Sequence, residues 1–231
     1  MKRALLDRLD TLRAEGQAVV LATRIADGTQ GLIHDGRVVA GDLPVSETLL
    51  AAAESALRRD KPGPAEDGLF VQVFNPPLRM ILIGAVHISQ NLAPMAAMAG
   101  YAVTIIDPRG AWASQSRFPD IDVVQDWPEE VMTRLAPDRR TAVVALTHDP
   151  KLDDPALAVA LQSDAFYVGA LGSKKTAAAR AVRLRESGVE PDAIDRIDGP
   201  IGLDIGAVSP AEIAIAILGK VILTLRGPKG R

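Results

Sequence analysis

The chain is 231 residues long, with 48% apolar residues, 24% charged residues, a formal net charge of −3 and no cysteine. This is the composition of a globular protein of one large domain, or one medium and one small, and its net charge does not suggest a surface for nucleic acid or a membrane. The absence of any thiol excludes disulfides, thiolate metal ligands and a covalent persulfide on this chain, and fits a reducing compartment.

The first residues, MKRALLDRLDTLRAEG, space charges among leucines without a continuous apolar core, so they do not read as a signal peptide. Leu5, Leu6, Leu9 and Leu12 fall at helical spacing and predict a short amphipathic helix over 3–15. A strand is expected over 17–25. Leu32-Ile33 and Val38-Val39, separated by His34-Asp35-Gly36-Arg37, predict a hairpin with an Asp-Gly turn and a surface His34. Ser46 opens a helix through Leu49, Leu50, Ala53 and Leu57. The Pro/Gly-rich run 60–68 reads as a loop, and 69–74 as a strand closed by Asn75-Pro76-Pro77. Residues 1–77 are thus expected to form a small α+β domain.

From Arg79 the pattern becomes strand and helix in alternation, which predicts a parallel sheet over 78–231. Its centre is LRMILIGAVHISQNLAPMAAMAGYAVTIIDPR: strand, turn, helix, strand, acid, with Asp107 lying 23 residues beyond Gly84. That is close to the spacing of a dinucleotide-binding unit. The glycine fingerprint is nevertheless broken, because Val86 and Ser89 stand where the second and third glycines would be. Pro94 falls inside the helix that follows and should kink it. Strands are expected at 123–125, 142–146 and 166–168. Helices are expected at 129–135, at 155–161 with Asp154 as cap, and at 174–186. A last helix should open on the capping box Ser209-Pro210-Ala211-Glu212 and end near Gly227. It carries the most apolar stretch, 213–225, which Lys220 interrupts and which falls short of the ~20 residues that span a bilayer. A cytoplasmic protein is expected.

Ligands of an open parallel sheet bind at the carboxyl ends of its strands. Four polar segments converge there: Gly84, Ala85, Val86 and His87; Asp107 and Arg109; Thr147, His148 and Asp149; and Gly169, Gly172, Ser173, Lys174 and Lys175. Asp107 and Arg109 side by side suit a ligand with hydroxyl and phosphate groups. His148, with Asp153 and Asp154 beyond it, suits acid/base or hydrogen-bonding contact, or equally a loop of helix caps. Lys174 and Lys175 at a helix start oppose the helix dipole, which points to an anionic partner or to a solvated face. No residue is singled out as a catalyst, and no metal ligand is named, one His with nearby carboxylates at 148–154 being only a weak metal signal. Replacing Asp107 or His148 is expected to weaken the ligand and leave the fold intact.

The segments ILIGAVHISQNL, VTIIDPR, Arg117-Phe118-Pro119, LTHDPKLDDPAL, YVGALGSKKT and GPIGLDIGAVSPAEIAIAI occur in an order that resembles the XdhC/CoxI family, accessory factors of molybdenum hydroxylases. The resemblance covers 79 to about 225. It implies a Rossmann-like α/β domain and a chaperone that binds the molybdenum cofactor (molybdopterin). It also implies help with sulfuration by a cysteine desulfurase, and delivery to a molybdenum hydroxylase apo-enzyme. The glycine-rich and Cys-Gly-Gly segments of the longer family form are missing from 1–77. The competing readings are an NAD(P)-dependent oxidoreductase and a non-catalytic nucleotide-binding regulator. A homodimer through 201–208 and the last helix is a further expectation.

Overall fold

A computed structural model describes residues 2–227, and the chain divides into two compact units between Pro76 and Pro77. The first unit has a five-stranded antiparallel sheet in the order β3-β2-β1-β5-β4. Its elements are α1 (Arg3–Ala14), β1 (Val19–Arg24), β2 (Gln30–His34), β3 (Arg37–Gly41), α2 (Glu47–Arg59), β4 (Gly63–Ala65) and β5 (Leu69–Phe74). Successive side chains of β1 point to opposite faces, and both faces are covered. Val20 and Ala22 join Leu49 and Ala53 of α2, while Val19 and Leu21 join Leu5, Leu9 and Leu12 of α1. That double cover is why β1 is apolar without alternation.

Two expectations for this unit change. The Pro/Gly-rich run contains β4, an edge strand paired with β5. Proline is tolerated there because an edge strand has one unpaired side. His34 ends β2 half-buried, its Nδ1 3.1 Å from the carbonyl of Ala18. The turn beside it is Asp35-Gly36, both with positive φ, as a tight hairpin requires.

The second unit is a six-stranded, wholly parallel sheet in the order β11-β10-β9-β6-β7-β8. It runs through β6 (Leu78–Ile83), α3 (His87–Met98), β7 (Tyr101–Ile106), β8 (Asp122–Val124), α4 (Pro128–Leu135) and β9 (Thr141–Ala145). It continues with α5 (Pro150–Leu161), β10 (Tyr167–Ala170), α6 (Lys174–Glu186), α7 (Pro191–Ile194), β11 (Ile197–Asp198) and α8 (Pro210–Arg226). The order reverses between β6 and β9, the doubly wound Rossmann-like arrangement with its ligand crevice at that switch point. Alternate strand residues serve opposite faces. Met80, Leu82, Val103, Ile105 and Val144 pack with α3 and α8, and Ile81, Ile83, Ile106, Val143 and Val168 pack with α4, α5 and α6. At about 25 cal/mol per Å², burying both faces of the central strands is the main force holding the sheet. Among the described residues no helix is long and apolar enough to cross a membrane.

Helix α5 starts five residues earlier than the periodicity implies. Pro150 takes the first helical position and Asp149, not Asp154, caps it, with the Asp149 carboxylate accepting from the Lys151 N–H at 3.0 Å. Pro155 therefore lies inside the helix, as Pro94 does in α3, and both helices run past it. Helix α8 opens on the capping box at Ser209 and is closed by Gly227.

Candidate functional site

The four predicted segments all emerge from the carboxyl edge of the parallel sheet, and their contacts join them in series. Gly84 ends β6 with φ +107, a conformation that L side chains rarely adopt, and a Cβ there would stand 2.5 Å from Thr147 Cγ2. The loops after β6 and β9 thus touch across the switch point. Val86 is extended (φ −87, ψ 176) and packs against the core, so it needs none of a glycine's freedom. Ser89, at the fingerprint's third glycine position, is buried and donates its hydroxyl to the Gly84 carbonyl at 2.5 Å. The two departures from the glycine motif are accounted for by this turn's own packing.

Asp107 leaves β7 fully buried and holds the first loop to the second. It accepts from the Ala85 N–H at 2.8 Å and from the Arg109 N–H at 3.0 Å. Arg109 closes on it with Nε at 2.9 Å and Nη2 at 2.7 Å, a bidentate pair. Burial pushes this carboxyl up, but the Arg109 guanidinium and the two backbone N–H groups outweigh burial and hold it below the usual carboxylate range. The segment 108–121 has no regular periodicity, so its pattern does not point to Trp112, and it gives Arg117 no role beyond its place in a family-like segment. Arg117 Nη1 donates to the Ala85 and Trp112 carbonyls and Nη2 to Gln90 Oε1. Arg109 and Arg117 both lie over the Trp112 ring, at 5.7 and 5.4 Å, and His87 meets its edge at 6.3 Å.

A carboxyl with a folded pKa below its unfolded value of about 3.9 stabilises above that value, and the contribution fades as pH falls through the folded value. Asp107→Asn is therefore expected to cost about 1–3 kcal/mol at pH 7, at the low end because Arg109 is partly solvated. The difference from wild type should shrink in urea melts below about pH 4. A pH-independent difference would mean that charge plays no part.

In the third loop the side chains face two ways. Thr147 Oγ1 donates to Asp153 at 2.7 Å and accepts the Asp149 N–H at 3.0 Å. His148 has φ +62, its N–H bonded to Asp153 at 3.1 Å, while its side chain is exposed at the edge. Asp153 is buried, and burial, only partly offset by Thr147 and Arg180, pushes its carboxyl up. Arg180, buried on α6, stands 3.9 Å from Asp153 and donates to the Leu171 carbonyl at 3.0 Å, tying the third loop to the fourth. Sequence reasoning misses Arg180 because α6 is basic throughout and reads as a solvated face.

The fourth segment divides. Gly169 lies within β10, where a Cβ would meet the Tyr167 ring and Ile201 at 2.6–2.7 Å, so this glycine serves packing. Gly172 (φ +146) makes the turn, and Ser173 caps α6 by accepting from the Thr176 N–H at 3.2 Å. Lys174 and Lys175 are exposed at the helix start. Asp198 accepts from Tyr167 Oη at 2.6 Å and from the Gly202 N–H, which anchors the apolar segment after β11. Ile201 packs inward there, while Ile205 and Val208 are exposed.

A family model described as the XdhC Rossmann domain matches residues 80–221, more than half of the chain. The chain belongs to the XdhC family. Among curated relatives of this XdhC-family chain, a Bacillus subtilis (strain 168) protein named as a probable xanthine dehydrogenase subunit is 33% identical over 157 residues, 68% of this chain and 46% of that protein. The "Molybdenum cofactor insertion chaperone PaoD" of Escherichia coli (strain K12) is 30% identical over 148 residues, 64% of this chain and 40% of PaoD. The chain thus spans less than half the length of these two relatives. A crystal structure described as a xanthine dehydrogenase from Bacillus halodurans superimposes with a TM-score of 0.74 at 25% identity, covering 98% of this chain and 65% of that one.

Proposed function

We propose that this XdhC-family chain binds the molybdenum cofactor at the carboxyl edge of its parallel sheet and serves the maturation of a molybdenum hydroxylase of the xanthine or carbon monoxide dehydrogenase type. The observation that carries the reading is the division of labour at that edge. Its buried carboxylates, Asp107 and Asp153, are taken up by hydrogen bonds inside the protein. What faces outward is mostly cationic or hydrogen-bonding, namely the half-buried Arg109 and the exposed Lys174, Lys175 and His148, beside the half-buried carboxylate of Asp149 that caps α5. Such a lining fits a polar, phosphorylated pterin. The names of the two relatives support the same direction.

In this reading Arg109, Ser173, Lys174 and Lys175 hold the anionic parts of the cofactor, and His148 and the backbone of 84–87 contact the rest. When bound, the cofactor supplies the molybdenum–dithiolene centre that the client enzyme uses. The chain has no cysteine, so sulfur reaches the cofactor from a partner cysteine desulfurase without a relay on this chain. Asp107 has no lone pair left for a ribose diol, which supports a ligand other than NAD.

The test is anaerobic incubation of the purified chain with molybdenum cofactor and, separately, with NADH and NADPH, followed by gel filtration. The expected result is retained pterin near one per chain, quantified as its oxidised fluorescent product, and transfer to an apo-hydroxylase. Retention of a nicotinamide nucleotide with no retained pterin would overturn the reading in favour of an oxidoreductase.

A further inference from the structure

Asp107 occupies the place where a dinucleotide-binding fold keeps the carboxylate for a ribose diol. An ionised carboxylate has about four acceptor positions. Here all are filled from within the chain, Oδ1 by the Arg109 N–H and Nε and Oδ2 by the Ala85 N–H and Arg109 Nη2. The acid has become a support. Arg109 is what remains to meet a ligand. Its Nε–Nη2 edge is spent on Asp107, its plane lies over Trp112, and the side chain is 39% exposed. Among the described residues its Nη1 makes no hydrogen bond.

The local charge favours an anion. Arg117 lies over the same indole, and its hydrogen bonds go to carbonyls of Ala85 and Trp112 and to Gln90 Oε1, all neutral. None of these partners neutralises the Arg117 charge. Asp149 and Asp153 also act on Arg109. But Asp153 is answered by Arg180, and Asp149 caps α5, where the helix dipole opposes its charge.

We infer that the β7 end of this edge is a phosphate site, in which Arg109 Nη1 binds a phosphomonoester oxygen and Asp107 and Trp112 act as positioning residues that fix the guanidinium. A neutral diol finds no acceptor there. The inference rests on the proposed function only in taking this edge as the ligand's place, and it assigns the ligand's charged end to Arg109. The planar fork matters because it presents Nη1 at a fixed angle once the other edge is tied down.

The test is a ¹⁵N NMR titration of the whole chain at constant ionic strength, with inorganic phosphate as the probe and a methyl riboside as the neutral diol. Phosphate is expected to shift Arg109 Nε and the Trp112 indole N–H saturably, and the riboside to leave both in place. Arg109→Gln should weaken phosphate about tenfold or more as read at Trp112, with Arg109→Lys retaining part of the affinity. Asp107→Asn should also weaken it although the Arg109 charge remains; a merely structural role for Asp107 would leave the phosphate titration unchanged. Shifts confined to residues 173–175, equal response to the riboside, or full affinity in Arg109→Gln would overturn the inference. No cofactor enters the experiment, so failure of cofactor loading and failure of phosphate binding are separate results.

Discussion

Arg180→Met is expected to destabilise the protein by about 3–5 kcal/mol, because it strands an ionised carboxylate in the interior. The side chains of Arg180 and Asp153 are only 3% and 1% exposed, so solvent screens their interaction little. Methionine fills most of the volume, which keeps the cavity contribution small. Asp153 would keep its bonds from Thr147 and the His148 N–H but lose its nearest cation. Its carboxyl is already raised by burial in the wild type, and losing Arg180 raises it further. A carboxyl with a raised folded pKa costs nothing below its unfolded value of about 3.9, and the cost grows as pH rises through the folded value. The loss measured by urea unfolding should therefore be larger at pH 7.5 than at pH 4.5. Adding Asp153→Asn should recover part of it, since removing both charges removes the buried-ion penalty. A loss under about 1 kcal/mol at both pH values would show that water reaches the pair. The effect concerns the site directly, because Arg180 ties Leu171 to the loop that carries His148.

The contrast between Asp107 and Arg180 shows how far the sequence can be read. Strand β6, the glycine turn, α3 and β7 are visible because a buried parallel strand is a continuous apolar run and each run ends in a turn residue. The edge on which the polar segments meet follows from topology alone. Which polar groups stay available to a ligand does not. Asp107 stands at the expected acid position, yet Arg109, two residues away, folds back and fills it. Its expected role as a direct ligand contact therefore gives way to the proposal that it positions Arg109, and its replacement should disturb the first loop as well. Trp112 and Arg117 lie in a segment with no period, and what places them is a pair of bonds from Arg117, one to the distant Ala85 carbonyl and one to the carbonyl of Trp112 itself. Strand β4 hides in a Pro/Gly-rich run because an edge strand needs pairing on one side only. The start of α5 is ambiguous in the sequence because Asp149-Pro150 and Asp154-Pro155 are both a cap followed by proline, and only tertiary packing chooses between them.

Gly84→Ala is expected to cost about 2–4 kcal/mol, from two separable sources. One is backbone strain, since φ +107 lies outside the regions open to an L residue, at about 1–3 kcal/mol. The other is the new Cβ, 2.5 Å from Thr147 Cγ2, closer than real Cβ contacts come. A threonine methyl can usually rotate away. Here Thr147 Oγ1 is held by Asp153 and by the Asp149 N–H, so rotation would break the hydrogen bonds that shape the third loop. Thr147→Ser removes the methyl and keeps the hydroxyl, and alone should cost under about 1.5 kcal/mol. The Gly84→Ala/Thr147→Ser pair should then be more stable than the sum of the two singles predicts, with a coupling of about 1–2 kcal/mol in a thermal or urea double-mutant cycle. Zero coupling would assign the whole loss to the backbone of Gly84 and leave the contact between the two loops without energetic weight. A coupling of the expected size would establish that the turn after β6 and the loop carrying His148 are held together at the switch point by this contact. The crevice there is then set in part by a glycine at which any side chain carries a cost.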